Sequence, residues 1–321
     1  LFAHLLRRLP VLLLTLVGIT AVVFGLVHLA PGDIVIAQGG KRVSRESVEI
    51  VRRQFHLDQP IWRQYLLWMG DLSKGDLGRS IQDGRAVVDR IGETLPNTLL
   101  LNLVSLVLTA AVAIPVGILA AARRGSRFDR WSGAGFFMMT SLPSFWLALV
   151  AGSFFSVKLG WLPLFGMTSD AYATLSPLGK LLDRALHLVL PTACLSVTSL
   201  AFFARLGRSS LLEVIRQDYI RTARAKGLPE RTVLFHHAFR NALVPLVTLF
   251  GILLPAMISG SVIIERIFAW PGTGRLYFDA ILVRDYPLIM GLTLFSAALT
   301  LAANLLADLL YAVVDPRVRL S

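Results

Sequence analysis

Charge is what this sequence lacks most: Asp, Glu, Lys and Arg make up 16% of its 321 residues, against 55% apolar. A soluble domain carries roughly a quarter of its residues charged, so a soluble enzyme of one or two domains is excluded, and a disordered chain with it. Acidic residues are the scarcer sign, 20 against 32 Lys and Arg, which leaves a net charge of +12. In so apolar a chain that surplus reads as the positive charge that orients membrane proteins, before it reads as a nucleic-acid surface. Cysteine is nearly absent. Cys194 stands alone and cannot pair within the chain, so a disulfide scaffold is excluded. Phosphate-cradling loops are missing as well. Gly40-Lys41 lacks the upstream glycine and the hydroxyl residue of a P-loop, and Gly272-Thr273-Gly274 lacks the third glycine of a dinucleotide loop.

What is present is a set of long apolar runs. Crossing a hydrocarbon core of about 30 Å takes roughly 20 helical residues. Six stretches free of Asp, Glu, Lys and Arg reach that length: Leu9–Gly32, Thr94–Ala122, Trp131–Val157, Ala185–Ala204, Asn241–Ile264 and Tyr286–Ala307. The last continues past Asp308 through Leu309–Val314. These predict an all-α membrane protein with six transmembrane helices, the first over residues 9–30. Arg7 and Arg8 ahead of the first run also fit a signal peptide, but the run is too long for an ordinary apolar region and no A-x-A-like site closes it. Basic residues crowd one side. Arg123, Arg124, Arg127 and Arg130 follow the second run, and seven arginines with Lys226 fill residues 205–240. With Arg7, Arg8, Arg317 and Arg319 that side holds sixteen basic residues against five acidic ones, so both termini are expected in the cytoplasm. The segment 33–93, with ten basic and nine acidic residues, is then extracytoplasmic by alternation.

Within the runs, Pro115, Pro143, Pro191, Pro245 and Pro255 read either as ordinary kinks or as marks of a pathway lined by bent helices. Gly117, Gly135, Gly251 and Gly260 allow close helix approach. Asp308, an ionisable residue in a span, is a functional hypothesis by default. It lies seven residues before Asp315 and near the cytoplasmic boundary, which favours a polar contact between helices over a proton relay. His28, His56 and His187 lie near the outer face and could gather around a metal, but scattered histidines more often pack or hydrogen-bond; His236 and His237 point roughly 100° apart on a helix and make a poor metal pair. No metal site and no catalytic residue is predicted.

The outer segment carries two helical stripes. Val48, Val51 and Phe55 form one; Ile61, Tyr65, Trp68, Met69 and Leu72 form the other, stopped by Lys74-Gly75-Asp76-Leu77-Gly78. Each reads as a face packed on the rest of the protein, or as a contact surface for an external partner. The loop 205–240 is more specific. Leu211, Leu212, Ile215, Tyr219, Thr222 and Ala223 share a helical face. Gly227 then stands where a left-handed residue ends a helix, Pro229 suits the first position of the next, and Glu230 suits its positive first turn. Two short helices joined by a glycine corner make a basic knob fixed at both ends to membrane helices.

Asp218-Tyr219-Ile220-Arg221-Thr222-Ala223-Arg224-Ala225-Lys226-Gly227, followed by Arg240-Asn241-Ala242 and Pro245, resembles the EAA loop of ABC importer permeases, in the DppB-like branch that serves dipeptides, oligopeptides and nickel. Gly75-Asp76-Leu77-Gly78-Arg79-Ser80, Leu95-Pro96-Asn97-Thr98, Phe268-Ala269-Trp270-Pro271-Gly272, Arg284-Asp285-Tyr286-Pro287 and the end from Asn304 to Arg319 extend the resemblance over nearly the whole chain. Arg221 and Thr222 replace the Glu and Ala of the broad consensus, and Arg240-Asn241 replace its Leu-Pro.

The resemblance implies a type I ABC importer transmembrane domain in the bacterial cytoplasmic (inner) membrane. Residues 1–93 hold the first helix and the outer segment, 94–314 the permease core with its coupling loop 205–240, and 315–321 a cytoplasmic tail. It implies that Arg221, Thr222, Ala223, Arg224, Ala225, Lys226 and Gly227 couple to a cytoplasmic ATPase, with Arg224 and Lys226 as polar contacts. Implied partners are a second homologous permease, two ATP-binding-cassette subunits, an extracytoplasmic substrate-binding protein and membrane lipid, with no nucleic acid. ATP and Mg belong to the partner subunits, and no cofactor to this chain. The expected function is import of di- or oligopeptides, with nickel or glutathione-like cargo as alternatives. An ion-coupled carrier calls for several buried ionisable residues and an internal repeat; the runs offer Asp308 and no convincing repeat. An intramembrane enzyme lacks a paired nucleophile and base.

Overall fold

The computed structural model describes residues 2–29, 58–243 and 261–314. These are overwhelmingly helical. In chain order they form α1 (Phe2–Leu29), α2 (Ile61–Ser73), α3 (Val87–Ala122), α4 (Arg127–Ser141), α5 (Ser144–Ala151), α6 (Pro177–Ile215), α7 (Asp218–Ala225), α8 (Glu230–Thr232), α9 (Val262–Ile267), α10 (Thr273–Val283) and α11 (Tyr286–Val314). Wider π-type turns extend α5 over Gly152–Lys158 and α8 over Val233–Ala238. The described chain divides into two compact units. One holds the described residues up to Thr98, Ser261, Val262 and those from Pro271 on; the other holds those from Leu99 to Leu243 and Ile263–Trp270.

Three helices are long and apolar enough to cross a membrane as single rods: Pro10–Leu29, Val87–Ala122 and Tyr286–Leu306. Two further spans are obtained if bent pairs are counted, Arg127–Ser141 with Ser144–Lys158 at 99° and Pro177–Val197 with Ser199–Ile215 at 54°. Most of the fifth run, with Pro245, Pro255, Gly251 and Gly260, lies outside the described residues, as do the stripe of Val48, Val51 and Phe55, His56 and the tail 315–321.

The prolines behave differently from one another. Pro143 sits at the 99° corner, holding Leu142 extended at φ −90° and ψ 128° before α5 begins. The residue before a proline is pushed out of the helical region, so the corner has a local cause. Pro115 and Pro191 lie within α3 and α6 without ending either helix. Polar caps start α4 and α6. Ser126 accepts the Asp129 N–H at 3.2 Å ahead of α4, and Ser176 accepts the Gly179 N–H at 3.2 Å ahead of α6, whose first residue is Pro177.

In the first unit α1 packs along α11, and α10 along α11. Here the sequence motifs meet in pairs. Asp285 is fully buried and accepts from the Ser80 hydroxyl, from Ile81 N at 3.2 Å and from Leu288 N at 3.3 Å. Asn97 donates to the Pro271 carbonyl at 2.9 Å, and the Thr98 hydroxyl oxygen accepts the Thr273 N–H at 2.8 Å. A buried carboxylate is tolerable only when its acceptor sites are occupied, as they are at Asp285.

In the second unit α6 is the central rod, flanked by α4 and α5. The Ser105 and Ser196 hydroxyls bond at 2.9 Å between α3 and α6. Arg208 of α6 grips Asp129 of α4 in a two-pronged pair at 2.6 and 2.9 Å, and Asp129 also accepts the Gly125 N–H at 3.0 Å. Of the glycines expected at helix contacts, Gly117 makes one against α6, whereas Gly135 has open space around its Cα.

Candidate coupling site

The glycine corner is built from three local events. α6 ends at Ile215, with Arg216 and Gln217 donating back to the carbonyls of Glu213 and Val214. α7 begins after these two residues with Asp218 in its first turn, where a negative charge suits the helix dipole. It ends with the Gly227 N–H on the Arg224 carbonyl at 2.9 Å and the Leu228 N–H on the Ala223 carbonyl at 3.4 Å. That pair of closures requires a left-handed residue between them, and Gly227 adopts φ +74°. Pro229 follows as the cap of α8, one position earlier than the sequence analysis placed it.

The corner is glued to the ends of the long helices. Ile220 and Ala223 of α7 share one core with Ile118 and Ala121 of α3, Leu211 of α6, Val233 and Ala238 after the corner, and Ala242. Ile220 is fully buried, a burial that contributes about 1.5–3 kcal/mol. On the outside, Tyr219 accepts from Asn241 Nδ2 at 2.8 Å, which ties α7 to the segment leading into the fifth run.

Of the seven residues proposed for coupling, Ala223 is buried; Arg221, Thr222, Arg224, Ala225, Lys226 and Gly227 are exposed. Arg224 is already engaged: its guanidinium meets the Glu230 carboxylate at 3.1 and 2.6 Å across the corner. Arg221 makes a looser pair with Asp218 at 3.4 Å. The helical face read in the sequence leaves out Ile220 and groups Tyr219 and Thr222 with Leu211 and Ala223, whereas the structure buries Ile220 and exposes Tyr219 and Thr222. The break at Arg216-Gln217 resets the helical phase, so a periodicity carried through from Leu211 mispoints α7. Glu230 was read as a dipole partner; its bond to Arg224 was invisible because the two are brought together only by the turn at Gly227. Pro115 stands on α3 three residues before Ile118 of that core, Pro143 at the turn between α4 and α5 and Pro191 within α6; Pro245 is outside the described residues, and Asp308 lies on α11 with its side chain outside them. His28 bonds Phe24 O and Gln64, and His187 bonds Asp183 O.

The chain's sequence decides the class of protein to which this corner belongs. Residues 113–320 match the family of binding-protein-dependent transport system inner membrane components, and residues 1–102 match the N-terminal domain of the same transport-system membrane components. The chain belongs to this family. The oligopeptide transport system permease protein AppB of Bacillus subtilis is 42% identical, with 98% of this chain and 99% of the relative covered. The dipeptide transport system permease DppB of Escherichia coli K12 is 38% identical over 98% of each chain. A putative peptide transport system permease of Brucella abortus is 44% identical over 98% of this chain and 96% of its own. This family member is therefore a transport-system permease of the inner membrane, a transporter subunit and not an enzyme.

The Arg224–Glu230 pair spans the corner and braces it. The bond from Arg224 holds the Glu230 carboxyl below its ordinary value. Its contribution is complete above the ordinary glutamate pKa and is lost as pH falls through the lowered one, so the brace is closed at neutral pH. Both groups are roughly half exposed, and such pairs contribute less than about 1 kcal/mol to folding. Arg224→Glu or Glu230→Arg alone should lower transport per ATP hydrolysed several-fold in the assembled transporter without loss of assembly. The double exchange should restore at least half of it, as measured by parallel uptake and ATPase assays.

Proposed function

We propose that this permease imports di- and oligopeptides, using ATP hydrolysed by partner subunits, and that the Gly227 corner is where their motion enters. In this reading six spans place both termini in the cytoplasm. Residues 94–314 form the translocating core, 205–240 its cytoplasmic loop and 33–93 the outer segment. The working unit holds a second homologous permease, two ATP-binding-cassette subunits and an external substrate-binding protein, with ATP and Mg on the ATPases. The carrying observation is the shared core of Ile220 and Ala223 with Ile118, Ala121 and Leu211. A push on α7 cannot be absorbed locally, because two helix ends from the membrane belong to the same packed cluster. Close-packed interiors transmit displacement rather than soften it. ATP-driven closure of the ATPases would thus swing the spans to receive cargo, and hydrolysis would reset them.

The peptide reading is supported by the relatives, which are named as oligopeptide, dipeptide and di/tripeptide transport permeases. The test uses the assembled transporter in vesicles. A cysteine at Ala225 or Lys226 should crosslink to an ATPase subunit, and labelled dipeptide should accumulate only with ATP. Accumulation of nickel or glutathione with no peptide uptake would overturn the cargo; accumulation without nucleotide consumption would overturn the mechanism.

A further inference from the structure

The helix α2 belongs to the segment that alternation places in water, yet its contacts lie at membrane depth. Its Tyr65 hydroxyl bonds the Thr20 hydroxyl of α1 at 2.9 Å, and its Gln64 side-chain Oε1 lies 3.0 Å from His28 Nε2. Between these bonds the Phe24 ring packs against Tyr65 and stacks on Trp68, with centroids 5.3 and 5.7 Å apart. The apolar span of α1 runs to Leu29. At a rise of 1.5 Å per residue, Phe24 lies about 7 Å inside that end and Thr20 about 13 Å. Helices that lie in a membrane interface sink about 5–10 Å below the headgroup boundary. Phe24, at the centre of the contact with α2, lies within that range, and Thr20 lies just below it.

The side chains agree with the depth. Tyr65, Trp68, Met69 and Leu72 are partly covered. Beside them on the helix, Trp62 and Leu66 form a second apolar strip, 65% and 59% exposed. The flank farther round carries Arg63 and Asp71, both exposed, with Leu67 between them. On α1 itself Val22 and Leu26 are exposed at the same depth, on the face of the helix turned away from α2. Polar groups inside a span must find internal partners, and α2 supplies them for His28 and Thr20.

We propose that α2 is an interfacial helix seated in the leaflet at the Leu29 end of α1, with Trp62 and Leu66 against lipid acyl chains and Arg63 and Asp71 towards water. The proposal rests on α1 being a span. Nitroxide labels at Trp62→Cys, Leu66→Cys, Arg63→Cys, Asp71→Cys and, as a reference, Leu26→Cys would be examined in the assembled transporter in lipid vesicles; Cys194 is buried and stays unlabelled. Ile61→Cys replaces any apolar site that fails to assemble. Collision with oxygen should exceed collision with a water-soluble nickel chelate several-fold at 62 and 66, as at 26, and the order should reverse at 63 and 71. Preference for the nickel chelate at 62 and 66 would overturn the proposal in favour of a water-exposed face. Shielding from both reagents would overturn it in favour of a protein partner. Nickel preference at 26 as well would instead sink the span assignment of α1, and the proposal with it.

Discussion

Gly117→Leu is expected to leave no assembled transporter, and Gly117→Ala to lower the melting temperature of the complex by several degrees. A Cβ at this position would stand 2.6 Å from the Ala204 carbonyl oxygen and 3.2 Å from Arg208 N. Both obstacles are backbone atoms of α6, so no rotamer change relieves them; the helices must part. Moving a carbonyl contact from that distance to an ordinary one takes roughly 1 Å, and overpacking of this kind costs about 1–3 kcal/mol even where neighbours yield. The parting has a second effect. Ile118 follows Gly117 directly and packs in the core that holds Ile220 and Ala223, and Arg208 carries the two-pronged bond to Asp129. An alanine variant that assembles should therefore transport less per ATP hydrolysed. Gly135→Ala is the matched control: nothing lies within 4 Å of its Cβ position, and it should be silent in both melting and uptake.

The parts of this fold legible in the sequence are those whose causes are local. Gly227 and Pro229 announce a corner because one tolerates positive φ and the other cannot continue a helix, and both stand at it. The stripe of Tyr65, Trp68, Met69 and Leu72 announces α2, and the span length of α1, α3 and α11 follows from freedom from charge. Neighbours distant in the chain were not legible. Ser80 and Asp285 belong to two separately recognisable motifs, yet nothing in either tells that one side chain closes on the other. Pro115, Pro143 and Pro191 are the same letter, and only the second turns the chain sharply, because helix geometry is abandoned at Leu142 and resumed at Ser144. The depth of α2 was hidden for a related reason. Its charged flank, Arg63 and Asp71, reads as a solvated segment until Tyr65 and Gln64 are found against Thr20 and His28.

Ile220→Ala is expected to cut transport per ATP hydrolysed at least tenfold while the transporter still assembles. α7 has eight residues, and only Ile220 and Ala223 are buried. Such a short helix has little intrinsic stability, so its grip on the membrane helices is chiefly the packing of these two side chains, with the Tyr219–Asn241 hydrogen bond beside it. Removing a large aliphatic group from a filled site costs about 2–5 kcal/mol. The loss falls on the joint rather than on the spans, because Leu211, Ile118 and Ala121 retain their other neighbours along α3 and α6. The ATPases would then still bind α7 through its exposed face of Arg221, Thr222, Ala225 and Lys226, and would still hydrolyse ATP, but α7 would move without carrying the helix ends. Lys226→Ala should differ in kind, weakening capture by the ATPase while leaving the ratio of transport to hydrolysis in captured complexes unchanged. Thr222→Ala, on the exposed side, should change neither the core nor that ratio. The measurement is uptake and phosphate release in the same vesicles. An Ile220→Ala transporter with an unchanged ratio would mean that force enters the membrane helices by another route, and the shared core would then serve folding alone.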